Sequence, residues 1–225
     1  MTPQAAHHAI AIDGPAASGK STLARELARR LGLVMVNSGT MYRAVTWAAL
    51  TRNIAPDDAP AVIHMLDSLD ITCGHDGIAS NIQINGTSPT DSQLRTEQVN
   101  RAVSRISAIP EVRERLVSLQ REYLNHTSIV MEGRDIGSVV FPDTPFKIYV
   151  TADESVRAKR RKDTGEVDSV SCRDAADSQR KTAPLIVANG ATILDNSHHS
   201  IDSGVDAAIK ILIQQGWKQA IDEVY

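Results

Sequence analysis

The chain has 225 residues, of which 42% are hydrophobic, and this is enough to bury the core of one domain with insertions. The formal net charge of −3 gives no general attraction to nucleic acid, so we expect local basic groups to hold any anionic ligand. No apolar segment is long enough to cross a bilayer, and residues 1–8 do not resemble a secretion signal. We therefore expect a cytoplasmic monomer that binds neither nucleic acid nor membranes.

The cysteines and histidines do not indicate a metal centre. Cys73 and Cys172 lie far apart and lack C-x-x-C spacing, which argues against a zinc site or a disulfide framework and favours reduced thiols. The histidine pairs at 7–8 and 198–199 have no carboxylate cluster beside them, and adjacent side chains diverge in direction. We expect both pairs to be solvated loop histidines.

The first predicted element is a short apolar strand, 9–12, followed by a glycine-rich loop. Residues 14–21 read GPAASGKS and fit G-x-x-x-x-G-K-[ST], the loop that wraps nucleotide phosphates in backbone N–H groups. Leucines at four-residue spacing behind the loop predict a helix. Lys20 is expected to reach the β- and γ-phosphates, and Ser21 has a hydroxyl at the position expected to bind Mg²⁺.

Further apolar runs, separated by helical patterns, predict a doubly wound α/β fold with a five-stranded parallel sheet. These additional strands are predicted over 33–36, 129–131, 146–150 and 192–194.

Two long segments interrupt this α/β pattern. The first, 62–113, begins with alternating runs broken by turn signals, which predict a small antiparallel hairpin. Helical stretches are predicted over 92–104 and 110–124. The second segment, 157–180, is rich in charge and poor in large apolar groups, which predicts a mobile, solvent-facing flap.

Arginines follow two of the predicted strands. Residues 37–43 begin with a helix-capping residue type and place Tyr42 and Arg43 in the opening turns of a helix, which suits binding of an anion or a ribose. Arg134 lies in the segment EGRD, 132–135, immediately beyond the 129–131 strand, where open parallel sheets bind their ligands. Because arginine binds phosphate through two parallel hydrogen bonds, we predict that Arg43 and Arg134 are phosphate ligands.

The predicted flap contains more arginines. Arg173 and Arg180 are seven residues apart, so on a helix they would point the same way, with Asp177 between them on that face. A second group fits a solvated charged face as well as it fits contacts to phosphates. Its members are Arg157, Arg160 and Arg161.

Two carboxylates lie next to these motifs. Asp13 directly precedes the phosphate loop, where it suits either a Mg²⁺-bound water or the capping of local backbone N–H groups. Asp135 follows Arg134, where it suits either orienting that arginine or accepting a hydrogen bond from the exocyclic amino group of a base.

Over nearly its whole length the chain resembles the bacterial cytidylate kinases. The resemblance rests on four segments, which are residues 12–21, 38–43, 132–143 and 173–185. The 132–143 segment, EGRDIGSVVFPD, is much more specific than the phosphate loop, which many ATPases and GTPases share. The resemblance implies a P-loop nucleoside monophosphate kinase with a monophosphate-binding insert and a lid. It also implies transfer of the γ-phosphoryl group of ATP to CMP or dCMP with Mg²⁺.

The resemblance also implies roles for individual residues. Those implied to bind ATP are Gly14, Pro15, Ala16, Ala17, Ser18, Gly19, Lys20, Ser21, Thr22, Arg157 and Arg161. Those implied to bind the acceptor phosphate are Ser38, Arg43, Arg134 and Arg180. Those implied to read the cytosine are Ser104, Arg113 and Asp135, while Tyr42 would lie against the nucleoside. Arg173 and Asp177 would contact the sugar or the phosphates. The groups expected to act in catalysis are Lys20, Arg134, Arg173 and Arg180, with Ser21 on the metal.

The resemblance divides the chain into three parts. The core is predicted over 1–61, 114–156 and 181–225, the insert over 62–113, and the lid over 157–180. Two alternatives stay open: a kinase for another small acceptor such as UMP, dTMP or shikimate, and a regulator that uses ATP occupancy as a switch. A switch needs a sensor for the γ-phosphate but no second set of arginines for an acceptor phosphate.

Overall fold

The computed structural model describes residues 7–163, 174–175, 177–180 and 182–218. In these ranges the strands are β1 (Ala9–Asp13), β2 (Val34–Asn37), β3 (Ile71–His75), β4 (Ser80–Ile84), β5 (Ile129–Gly133), β6 (Lys147–Thr151) and β7 (Thr192–Asp195). The helices are α1 (Lys20–Leu31), α2 (Ser38–Thr51), α3 (Ala59–Ser68), α4 (Asp91–Leu94), α5 (Glu97–Ile106), α6 (Pro110–Glu122), α7 (Glu154–Asp163) and α8 (Ile201–Gln214). Within these ranges, no helix combines the length and the apolar character needed to span a membrane.

Five strands form one parallel sheet in the order β2-β5-β1-β6-β7. Every residue of β1 and β5 is buried, because helices α1 and α8 pack on one face of the sheet and α6 on the other. The predicted doubly wound α/β fold is confirmed. Each of the five strands extends one or two residues further toward its carboxyl end than the sequence predicts.

The position of β1 determines where a ligand can bind. The chain leaves β1 for β2 on one side of the sheet and later forms β6 and β7 on the other side. Such a reversal of direction leaves a crevice at the carboxyl ends of the central strands, where open α/β sheets bind ligands. The phosphate loop begins at this crevice, directly after β1.

The predicted antiparallel hairpin is present as β3 and β4, with Ile71 opposite Ile84. Its apolar side chains join one hydrophobic cluster with residues of α2, α3, α5 and α6. This cluster is separate from the two that cover the large sheet. The hairpin and its helices therefore pack as a unit beside the crevice.

The continuous helix predicted over 92–104 is wrong. Two helices, α4 and α5, occupy this region. The break falls at Thr96, whose side chain accepts a hydrogen bond from the Val99 N–H and so begins a new helix. Helix α6 agrees with the prediction in its start but ends at Glu122, before a short 3₁₀ turn.

Candidate active site

The phosphate loop approaches its neighbours too closely for larger residues. Gly14 has φ +155, and a Cβ added there would lie 2.1 Å from the Val150 carbonyl oxygen of β6. Gly19 has φ +90, a left-handed conformation that favours glycine, and α1 starts at the next residue, Lys20. The two glycines of the motif thus allow the chain to turn from β1 into α1 with its backbone close to β6.

A buried carboxylate faces the end of this loop. The Ser21 Oγ donates a hydrogen bond of 2.8 Å to Glu132 Oε1, and Lys20 Nζ lies 4.0 Å from Glu132 Oε2. Lys20 Nζ also donates to the Pro15 carbonyl oxygen at 3.0 Å. Glu132 is not among the predicted site residues, although it lies near the carboxyl end of β5, the strand beside β1.

Asp13 caps backbone N–H groups. Its Oδ1 and Oδ2 accept hydrogen bonds of 2.8 and 2.7 Å from the N–H groups of Ile136 and Gly137. Burial raises the pKa of Asp13 to about 7, against the opposing effect of these two bonds. Of the two alternatives for Asp13, the structure shows the capping one, which holds the turn after Arg134 and Asp135 against β1.

The acceptor side of the crevice begins at the amino end of α2. Asn37 caps this helix by accepting a hydrogen bond from the Thr40 N–H at 3.1 Å. The Ser38 hydroxyl donates to the Glu132 carbonyl oxygen at 2.8 Å. Arg43 donates to Asn100 Oδ1 of α5 at 2.6 Å. Asn100 is also absent from the predicted site residues, because only the folded chain brings α5 to α2.

A buried ion pair, Arg113 with Asp135, also lies at the acceptor side of the crevice. Arg113 donates to Asp135 Oδ2 and, at 3.2 Å, to the Ser107 carbonyl oxygen. Its guanidinium lies 5.3 Å from the centre of the Tyr42 ring. Burial raises the pKa of Asp135, and the charge of Arg113 opposes this rise. Ser104 lines the same cavity. The residues that the resemblance assigns to the base and the nucleoside are therefore neighbours.

Two arginines share one carboxylate at the acceptor side. Asp177 Oδ2 accepts from Arg134 Nε at 2.7 Å, and its Oδ1 accepts from Arg180 Nη2 at 2.5 Å. Asp177 is only 2% exposed. Burial lowers the pKa of Arg180; the negative charge of Asp177 is the next largest influence and opposes this, while the positive charges of Arg113 and Arg134 add to the lowering. Basic groups are therefore concentrated where an acceptor phosphate is predicted.

Two half-buried arginines of α7, Arg157 and Arg160, contact the backbone of the phosphate loop. Arg157 Nη1 lies 3.4 Å from the Ala16 carbonyl oxygen, and Arg160 Nη1 donates to the Ser18 carbonyl oxygen at 3.1 Å. Arg161 is buried and lines the cavity. The alternative of a solvated charged face is therefore wrong for these three residues. Arg173 lies outside the described residues.

The structure brings most of the predicted site residues to one cavity. Its lining includes the predicted ATP-binding residues Ala16, Ala17, Lys20, Ser21 and Arg161. It also includes the predicted CMP-binding residues Ser38, Tyr42, Arg43, Ser104, Arg113, Arg134, Asp135, Asp177 and Arg180. The remaining described candidates lie outside this lining, and they are Gly14, Pro15, Ser18, Gly19, Thr22 and Arg157. Within the described ranges, His, Cys, Asp and Glu form no group of three that could hold a metal ion.

The phosphate loop between β1 and α1 lines the same cavity as Arg43, Arg134 and Arg180, and this combination defines a P-loop phosphotransferase. The family model for cytidylate kinase matches residues 10–214. The chain belongs to the cytidylate kinase family.

Individual members of the family align along most of their length. The cytidylate kinase of Alkaliphilus metalliredigens (strain QYMF) is 41% identical over 213 residues, which cover 90% of this chain and 94% of that protein. The cytidylate kinase of Mycobacterium leprae (strain Br4923) is 42% identical over 218 residues, covering 92% and 95%. That of Clostridium botulinum (strain Loch Maree / Type A3) is 39% identical over 214 residues, covering 90% and 96%.

Proposed function

We propose that this protein transfers the γ-phosphoryl group of ATP to CMP or dCMP, giving ADP with CDP or dCDP. One observation carries the proposal: Lys20 of the phosphate loop lines the same cavity as Arg43, Arg134 and Arg180. The cation of the phosphate loop thus suits a donor polyphosphate, which is the first group of charges, and the three arginines form a second group that suits an acceptor monophosphate. A nucleotide-dependent switch would need only the first group.

The donor side has oxygen atoms suited to a divalent cation. Ser21 Oγ and Glu132 Oε1 lie 2.8 Å apart, and Glu132 is buried next to the phosphate loop. A hydroxyl and a carboxylate are the hard oxygen donors that Mg²⁺ prefers. These two residues would hold Mg²⁺ together with the phosphates of ATP. When bound, the ion neutralises negative charge on the β- and γ-phosphates.

The acceptor side separates charge recognition from base recognition. Arg43, Arg134 and Arg180 would bind the phosphate of CMP, with Ser38 at the helix end beside them. Deeper in the cavity, the buried pair of Arg113 and Asp135 would read the edge of the base. A carboxylate suits the exocyclic amino group of cytosine, which uracil lacks.

Little proton transfer is required of the protein. The acceptor is an ionised phosphate oxygen that attacks the γ-phosphorus directly, so the residues act by alignment and charge stabilisation. Lys20 and Arg134 would stabilise the charge that spreads over the moving phosphoryl group. The insert and the predicted lid would cover the two substrates and exclude water, which would otherwise compete as the acceptor.

The first test removes the donor cation. We expect Lys20→Met to lower kcat for CMP phosphorylation by about a hundredfold or more, because a pre-positioned charge acting on the transition state is lost. Lys210→Met is the matched control, since Lys210 is exposed on α8. Equal activity of the two variants would contradict the assignment of Lys20.

The second test addresses base selection. ADP release is measured with ATP and, in turn, CMP, dCMP, UMP, AMP and dTMP. We expect CMP and dCMP to be preferred, and Asp135→Asn to lower the ratio of kcat/KM for CMP over UMP by about tenfold or more. The exposed Asp143→Asn serves as the control. Equal turnover of CMP and UMP by the unmodified protein would refute base reading by this pair.

A further inference from the structure

A carboxylate outside the roles assigned so far joins the predicted lid to the phosphate loop. Asp174 Oδ1 accepts a hydrogen bond of 3.1 Å from the Ala16 N–H. Its Oδ2 accepts from the guanidinium of Arg157, whose Nη1 also lies 3.4 Å from the Ala16 carbonyl oxygen. Asp174 and Arg157 therefore contact both backbone polar groups of Ala16.

The same short segment reaches the acceptor side. Three residues after Asp174, the buried Asp177 bridges Arg134 and Arg180. Three residues of chain span at most about 11 Å even when fully extended, so the positions of the two carboxylates depend on each other. The described residues between 174 and 180 thus touch the loop of the donor site at one end and the acceptor arginines at the other.

We propose that Asp174 is a positioning residue that docks the described residues 174–175 and 177–180 on the phosphate loop and thereby couples the donor site to the acceptor site. This inference rests on the proposed function. When Asp174 contacts Ala16, Asp177 and Arg180 lie at the acceptor cavity. When the contact is lost, each site still binds its own nucleotide, but binding at one site no longer changes the affinity of the other.

The contacts favour a role in coupling over a role in holding the core together. The Asp174 side chain is 20% exposed, whereas the core clusters consist of apolar residues elsewhere. Its partners are a backbone N–H of the phosphate loop and a guanidinium, and hydrogen bonds that involve charged groups are the stronger ones. Losing them should change the communication between the two sites more than the stability of the fold.

The test measures coupling directly by calorimetry. The Kd of a non-hydrolysable ATP analogue is determined with Mg²⁺, in the absence and in the presence of saturating CMP. For the unmodified protein we expect the two Kd values to differ by about fivefold or more. For Asp174→Ala we expect a ratio close to one, with the melting temperature lowered by less than about 4 °C. Asp163→Ala, an exposed site on α7, should keep the ratio of the unmodified protein.

A conservative variant distinguishes docking from a loss of fold. Asp174→Asn keeps an oxygen that can accept from the Ala16 N–H, so its ratio of Kd values should lie between one and that of the unmodified protein. If Asp174→Ala is unfolded, the ratio for Asp174→Asn is the test. The proposal is overturned if Asp174→Ala keeps the full ratio, or if the unmodified protein has a ratio of one. If CMP does not bind or is not phosphorylated at all, the proposed function fails first, and that result is seen without any variant.

Discussion

Asp13→Asn tests the cost of burying a carboxylate under the phosphate loop. In the folded chain the pKa of Asp13 is about 7, well above the value of about 3.9 for an exposed aspartate. Because the folded protein binds this proton more tightly than the unfolded chain does, the group adds to the free energy of unfolding at low pH. That contribution is lost as pH rises from the unfolded pKa through the folded pKa. The raised pKa of Asp13 corresponds to a loss of about 4 kcal/mol in the free energy of unfolding between pH 4 and pH 7.

Urea unfolding at a series of pH values measures this effect. The asparagine cannot ionise, so its free energy of unfolding relative to the unmodified protein should rise by up to about 4 kcal/mol as pH increases from about 4 to about 7.5. The variant also loses one acceptor for the N–H groups of Ile136 and Gly137. This loss shifts the free energy of unfolding by the same amount at every pH and so does not alter the trend. Asp143→Asn makes the same substitution at an exposed site and serves as the control. A pH-independent difference for Asp13→Asn would refute the reasoning.

Three further predictions concern residues around the cavity. Asn100→Ala removes a 2.6 Å partner of Arg43, so steady-state assays should show the KM for CMP raised about tenfold and the KM for ATP nearly unchanged; a shift in the KM for ATP alone would contradict this. Gly133→Ala places a Cβ 2.5 Å from Ser38 Oγ, so urea unfolding should show a loss of about 1–3 kcal/mol, and an unchanged midpoint would argue against this close packing. Glu132→Gln should raise the Mg²⁺ concentration for half-maximal activity about tenfold, and an unchanged Mg²⁺ dependence would remove Glu132 from the metal site.

The features that could be predicted from the sequence are those encoded by neighbouring residues. The apolar run at β1, the glycine-rich loop and the leucine spacing of α1 are local patterns, and each formed the element that it predicts. Arg134 could be placed near the loop because the carboxyl ends of adjacent parallel strands meet at one edge of the sheet.

The features that could not be predicted depend on contacts between distant parts of the chain. Glu132 and Ser21 are 111 residues apart, and Arg43 and Asn100 are 57 apart, so no local pattern reports either contact. The charge-rich helix α7 has the composition of a solvated face, and only its packing against the loop distinguishes the two alternatives. The break between α4 and α5 depends on the side chain of a single threonine.

The contacts on the outer side of the phosphate loop have a consequence for how tightly a nucleotide binds. The Ser18 carbonyl oxygen accepts hydrogen bonds from both Arg160 and Asn196, at 3.1 and 2.9 Å. In a planar trans peptide the N–H of the next residue points the opposite way, so anchoring this oxygen directs the Gly19 amide hydrogen inward. The loop is thereby organised before any anion arrives, and less conformational entropy is lost when phosphate enters.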